Sequence, residues 1–218
     1  MKLFAFGDSF TEPFHIQTGQ TLKYFDWKGY IPKNFVDNIA ENLKLNYFNF
    51  GRGGTSNRTI LSTFIKNIDL IDENDIVIIG WTSLARYRIP DYEENFFDVI
   101  APNFIIKPYQ ESPSIESTLI DNLLIRDHPM FSLELMEYMK LIRKSLPKCQ
   151  IFFWTWHWLN LPSYSLKTQE IIKEYHSQLV HFGPIDDIYT ETQGLVQDFH
   201  YSENGHKKLS EIILNKIS

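Results

Sequence analysis

The chain has 218 residues, of which 43% are hydrophobic, so it is long enough and apolar enough to bury a core. Its formal net charge of -6 argues against nucleic acid or an anionic membrane as a partner. The single cysteine, Cys149, excludes an intramolecular disulfide and a cysteine-based zinc site. We expect Cys149 to be a buried thiol, because it leads into an apolar strand.

The chain also lacks the usual sequence signals for membranes and export. No apolar stretch approaches the roughly 20 residues that a spanning helix needs. A strand begins at once, with no charged and apolar leader before it. We therefore expect a cytoplasmic protein without a transmembrane segment.

Strands alternate with helices from one end of the chain to the other. Short apolar runs that end in turns predict strands at 3–6, 45–50, 75–80 and 150–154, with a weaker one near 181–189. Apolar residues at helical spacing predict helices at 31–43, 57–68, 131–146, 166–180 and 203–217. This alternation predicts an α/β protein, a flavodoxin-like three-layer sandwich with helices on both faces of a parallel sheet.

Residues 84–130 do not fit a short connection between a strand and a helix. They contain prolines 90, 102, 108, 113 and 129, half of the ten in the chain, and they are rich in Tyr and Phe. A long irregular insertion in a compact domain is usually a lid or a binding segment. Without internal repeats or linkers, the chain is predicted to form one domain, 1–218, that carries this insertion.

A serine follows the first predicted strand in the turn Gly7-Asp8-Ser9. In open α/β sheets, ligands bind beyond the carboxyl ends of the strands, so a hydroxyl there is well placed for chemistry. The alternative is that Asp8 and Ser9 only cap a turn or helix, which both residue types often do.

An acid and a base stand close together before the last predicted helix, at Asp198 and His200. A serine hydroxyl must lose its proton as it attacks, an imidazole can take that proton, and a carboxylate can orient the imidazole. Ser202 is a good N-cap for the helix that follows. The alternative is a surface histidine beside a capping aspartate.

Taken together, these blocks resemble the GDSL (SGNH) hydrolase family. The family pattern is a Gly-Asp-Ser block, a glycine after the second strand, Gly-x-Asn-Asp after the third, and an acid and a histidine before the last helix. Here the blocks occur in order over the whole chain, with Asn49-Phe50-Gly51-Arg52-Gly53-Gly54 as the second and Gly205 five residues past His200. The resemblance implies Ser9 as the nucleophile, His200 as the base, Asp198 as its acid and Gly54 as an oxyanion donor.

Two positions depart from the family pattern. The acid, Asp198, lies two residues before His200, whereas the family places it three residues before. Gln197 occupies that position here. The third block reads Gly80-Trp81-Thr82-Ser83, so Thr82 replaces the oxyanion asparagine. Losing one oxyanion donor typically costs about 100- to 1,000-fold in rate, so another group should replace it. We expect Asn57 to supply that donor, with the Thr82 hydroxyl as the second candidate and Trp81 as a substrate-binding candidate.

The resemblance implies a serine esterase that works without a cofactor. No His, Cys and carboxylate cluster has the spacing of metal ligands, so no metal is expected. The aromatic residues near the predicted site favour removal of a small acyl group, such as acetyl, from a small-molecule or carbohydrate ester. Three alternatives stay open: a lipase or thioesterase for longer chains, a sugar O-acyltransferase, and a binding protein that uses the same cleft. The oligomeric state also stays open.

Overall fold

A computed structural model describes residues 1–14, 25–26, 29–83, 86–90, 96–100, 129–156, 166–181 and 201–217. Its strands are β1 (Leu3–Phe6), β2 (Tyr47–Asn49), β3 (Ile76–Trp81), β4 (Arg86–Pro90), β5 (Phe96–Ile100), β6 (Gln150–Thr155) and β7 (Val180–His181). Its helices are α1 (Phe35–Leu43), α2 (Asn57–Asn67), α3 (Pro129–Ser145), α4 (Leu166–Ser177) and α5 (Glu203–Ile217), with a 3-10 turn at Ile68–Leu70.

The central sheet has five strands in the order β2-β1-β3-β6-β7, and every neighbouring pair in it is parallel. The predicted flavodoxin-like sheet is thereby confirmed. The chain moves outward from β1 to β2 and then crosses to β3 on the other side of β1. This reversal between β1 and β3 is the topological switch point, where open α/β sheets place their ligand crevice.

Both faces of the sheet are covered by helices, because successive side chains of a strand point to opposite faces. Phe4, Phe6, Val77 and Ile79 share one buried cluster with side chains of α2, α3 and α4. Leu3, Ala5, Ile76 and Ile78 belong to the other cluster, with α1 and α5. β1 and β3 are therefore buried on both faces, which explains their continuous apolar sequences.

Helix α1 begins four residues later than predicted. Asn34 is its N-cap, since its side chain accepts hydrogen bonds from the N–H groups of Val36 and Asp37, and Asp37 completes a capping box. Ile31, the first residue of the predicted helix, is exposed and precedes the observed one. The apolar spacing alone predicts a helix that begins one turn too early, because it takes no account of Asn34 as the capping residue.

Other helices follow the predictions more closely. α5 has the predicted bounds, and Ser202 caps it as expected by accepting a hydrogen bond from the Gly205 N–H at 3.2 Å. In α2, Ile60 and Phe64 are buried, whereas Ile65, an apolar residue of the same helix, is 51% exposed. A helix buries only one stripe, and Ile65 lies outside it.

Part of the predicted irregular insertion has regular structure. β4 and β5 form an antiparallel pair within residues 84–130, separate from the central sheet. Residues 129 and 130 already belong to α3, and the rest of the insertion lies outside the described residues. Among the helices that the structure describes, none is long and apolar enough to cross a bilayer. Cys149 is partly buried, and burial raises the pKa of its thiol.

Candidate active site

Ser9 lies on a single helical turn that starts directly beyond the carboxyl end of β1. The carbonyl of Asp8 accepts hydrogen bonds from the N–H groups of Thr11 at 2.9 Å and Glu12 at 3.0 Å. The Asp8 carboxylate accepts a third, from the N–H of Phe10 at 3.0 Å. Asp8 thus caps the turn, and Ser9 is left half-buried in its first position at the switch point.

The carboxylate of Asp8 also joins the ends of three strands. It is 1% exposed, and its second oxygen accepts hydrogen bonds from the Thr82 hydroxyl at 2.6 Å and the Trp156 indole N–H at 2.9 Å. Thr82 follows β3 and Trp156 follows β6. Bonds to a buried carboxylate are stronger than bonds between neutral groups, so Asp8 fixes these three chain segments relative to one another.

The second family block packs directly against the serine turn. The N–H of Phe50 donates to Ala5 O at 2.8 Å, and the N–H of Arg52 donates to Gly7 O at 3.0 Å. At Gly51, a Cβ would lie 2.5 Å from the main-chain nitrogen of Glu12. Glycine is therefore required at position 51 for space, since a side chain would push the two segments apart.

The next two glycines form the loop beside Ser9. A Cβ at Gly53 would lie 3.6 Å from the Cβ of Ser9, so the loop passes next to the serine side chain. Gly54 has φ of +77°, the left-handed region that favours glycine. Gly54, the predicted oxyanion residue, is exposed and belongs to the loop that adjoins the serine.

The two candidate replacements for the oxyanion asparagine bond to each other. Nδ2 of Asn57 donates to Thr82 O at 3.1 Å, and the N–H of Thr82 donates to Oδ1 of Asn57 at 2.9 Å. The Thr82 hydroxyl has one proton, which it donates to Asp8. An amide has two N–H donors, and the bond to Thr82 uses one of them. Asn57 is therefore the better candidate of the two.

Trp81 does not line the cleft. Its side chain is 0% exposed and stacks on Phe153 in the core, with ring centroids 6.1 Å apart. A side chain in that position has no surface for a substrate. The sequence suggested a binding role because Trp81 follows the central strand, but side chains alternate along a strand, and this one points inward.

The remaining predicted site residues, Asp198 and His200, lie outside the described residues. Tyr201, the first described residue after them, packs against Phe10, with ring centroids 4.7 Å apart. Phe10 directly follows Ser9 in the chain. The start of α5 and the serine turn are therefore in contact.

Sequence reasoning missed two residues that shape this site. Asp8 was considered only as a turn cap, although it also binds Thr82 and Trp156 across the sheet. Glu12 was not considered, although it accepts a hydrogen bond from the Gly53 N–H at 3.0 Å. Its position three residues after Ser9 was the available signal, because residues three apart share one face of a helical turn.

Comparison with known proteins identifies the fold. Neither a protein-family profile nor the sequence of a curated protein matches this chain. Among solved structures, a carbohydrate esterase family 2 enzyme with a carbohydrate-binding domain, from Corynascus thermopiles (Myceliophthora fergusii), matches with a TM-score of 0.50 and 12% identity. The match covers 99% of this chain and 65% of that one. This chain has the SGNH hydrolase fold.

Two further solved structures are similar to this chain at lower TM-scores. An acetylxylan esterase from Geobacillus stearothermophilus, solved as a catalytic mutant, gives a TM-score of 0.49 at 14% identity, covering 100% of this chain and 94% of that one. A lipolytic protein of the G-D-S-L family from Veillonella parvula gives 0.46 at 14% identity, covering 98% and 96%. At these identities the likeness is one of fold.

The bonds of Asn57 and Thr82 lead to a prediction for ester turnover. Asn57→Ala removes the amide of the better oxyanion candidate, so we expect kcat to fall about 100-fold or more. Thr82→Val removes a hydroxyl whose proton is donated to Asp8, so we expect kcat to fall less than about tenfold, with a loss of stability of about 1.5–3 kcal/mol. Steady-state kinetics and urea unfolding measure both effects.

A matched control for this pair is Asn67→Ala, which removes an asparagine from the far end of α2 whose amide donates to Thr63 O. We expect its kcat to equal that of the wild type. A larger loss of kcat in Thr82→Val than in Asn57→Ala would assign the donor to the threonine instead.

Proposed function

We propose that this chain is a serine esterase that forms an acyl-enzyme on Ser9. The observation that carries the proposal is the position of Ser9, on a capped turn at the topological switch point and beside the glycines of the second block. The contact between Phe10 and Tyr201 supports it, because Tyr201 directly follows His200 in the chain. A nucleophile, a base and oxyanion donors must lie within a few ångströms of one another.

In the proposed reaction, Oγ of Ser9 attacks the ester carbonyl carbon while its proton passes to the imidazole of His200. Asp198 orients that imidazole and stabilises its charged form. The main-chain N–H groups of Ser9 and Gly54, with the amide of Asn57, bind the tetrahedral oxyanion. The intermediate collapses, the alcohol leaves with the proton from His200, and water repeats the sequence to release the acid.

For the substrate, we propose a short acyl ester, such as an acetyl ester, of a carbohydrate. Trp156 supports this choice, since its ring lies 5.1 Å from that of the buried Phe10 beside the serine turn and its own side chain is only partly buried. Aromatic faces of this kind can stack on a sugar ring. Two of the structures with a similar fold are a carbohydrate esterase and an acetylxylan esterase.

The test of the proposal is labelling with a fluorophosphonate probe, followed by mass spectrometry of the modified peptide. We expect one adduct, on Ser9, and a labelling rate that falls at least about 100-fold in His200→Ala because the base is lost. An absence of adduct on folded wild-type protein would contradict the esterase proposal. Turnover of long acyl esters far above that of acetylated sugars would contradict the proposed substrate.

A further inference from the structure

Glu12 lies between the serine turn and the second-block loop. Its Oε2 accepts a hydrogen bond from the N–H of Gly53 at 3.0 Å. A Cβ at Gly53 would lie 2.8 Å from that carboxylate oxygen and 3.6 Å from the Cβ of Ser9. The carboxylate, the loop and the serine are therefore immediate neighbours.

The main chain at Glu12 is held from several sides. Its N–H donates to Asp8 O at 3.0 Å, and its carbonyl accepts from Nδ2 of Asn34 at 3.1 Å. The preceding carbonyl, of Thr11, accepts from the amides of Asn34 at 3.1 Å and Asn49 at 2.7 Å. Asn34 is itself fully buried as the cap of α1. Glu12 thus extends from an anchored base.

The loop that Glu12 contacts, residues 51–54, ends in two glycines. Gly53 and Gly54 are adjacent, and glycine reaches more backbone conformations than any other residue. Oxyanion donors act only when they are held in place before the reaction, and a misplacement of about 1 Å can cost about 100-fold in rate. A charge-assisted bond from an anchored carboxylate to the Gly53 N–H supplies such a constraint.

We infer that Glu12 is a positioning residue that holds the loop 51–54 so that the Gly54 N–H points at the reacting carbonyl. The inference rests on the proposed esterase function, because it assigns Gly54 to the oxyanion. Glu12 acts through Gly53 and does not itself contact the substrate. Its effect is therefore expected in kcat, with little change in KM.

The test compares Glu12→Ala with Glu12→Gln. Glutamine keeps an acceptor oxygen at the same reach, whereas alanine removes it. We expect Glu12→Ala to lower kcat and the fluorophosphonate labelling rate about 10- to 100-fold, with KM changed less than about threefold. We expect Glu12→Gln to keep both rates within about fivefold of wild type, because a neutral acceptor makes a weaker bond. Glu41→Ala, which removes an exposed carboxylate on α1, is the matched control and should leave both rates unchanged.

A second measurement detects the bond without using activity. Hydrogen exchange at the Gly53 amide, followed by NMR, should be protected in wild type and in Glu12→Gln and faster in Glu12→Ala. If the alanine variant does not fold, Glu12→Asp replaces it, since its carboxylate is one methylene short of Gly53 and should give the same losses.

The outcomes separate this inference from the esterase proposal. Labelling of wild-type Ser9 together with an unchanged rate in Glu12→Ala would overturn the positioning role alone. Equal Gly53 exchange in wild type and Glu12→Ala would also overturn it. An unlabelled but folded wild type would overturn the esterase function, and the kinetic role of Glu12 with it, even where Gly53 exchange shows the hydrogen bond.

Discussion

Ser9→Ala is expected to lower kcat/KM for a short acyl ester, such as p-nitrophenyl acetate, by at least about 1,000-fold. The reason is that a water molecule must then act as the nucleophile in place of the serine hydroxyl. Only the oxyanion donors and substrate binding still accelerate the reaction. The fold should be unaffected, since Ser9 is half-buried and its turn is held by Asp8. Steady-state kinetics measure the loss, and thermal unfolding verifies the fold.

The matched control is Ser145→Ala, which removes an exposed serine at the end of α3 whose hydroxyl donates to Leu141 O. We expect it to have wild-type kinetics. If Ser9→Ala retained more than about a tenth of wild-type kcat/KM, the nucleophile would have to be another residue and the acyl-enzyme on Ser9 would be excluded.

Asp8→Ala is expected to lower the free energy of unfolding by about 3–5 kcal/mol. Three donors lose their acceptor at once, namely the N–H of Phe10, the hydroxyl of Thr82 and the indole of Trp156. Each buried donor left without a partner costs about 1–3 kcal/mol. Urea unfolding measures the change. The labelling rate of Ser9 should fall as well, because the turn that carries it loses its cap.

Two variants calibrate this prediction. Asp8→Asn keeps the size and one acceptor oxygen, so we expect a smaller loss of stability than for alanine. Asp72→Ala removes an exposed aspartate paired with Lys2 and should cost less than about 1 kcal/mol. Equal stabilities of Asp8→Ala and wild type would show that this carboxylate does not link the three strand ends.

Much of the fold followed from local patterns in the sequence. Leu3–Phe6 and Ile76–Trp81 were predictable to within one residue because a strand buried on both faces must be apolar throughout. The last helix was predictable at both ends because Ser202 caps it and Leu209 and Ile213 fall on one stripe. The order of the family blocks then indicated a site at the carboxyl ends of the strands.

The hydrogen bonds that join the parts of that site were decided only by the tertiary structure. Asp8 meets Thr82 and Trp156 across 74 and 148 residues of chain, and Glu12 meets Gly53 across 41. No local pattern encodes such contacts, because they depend on how parallel strands are ordered in the sheet. The sequence by itself determined the serine turn and the elements of the central sandwich, apart from the start of α1. The strand order β2-β1-β3-β6 determined which donors each carboxylate receives, since it brings the ends of these four strands to one edge of the sheet.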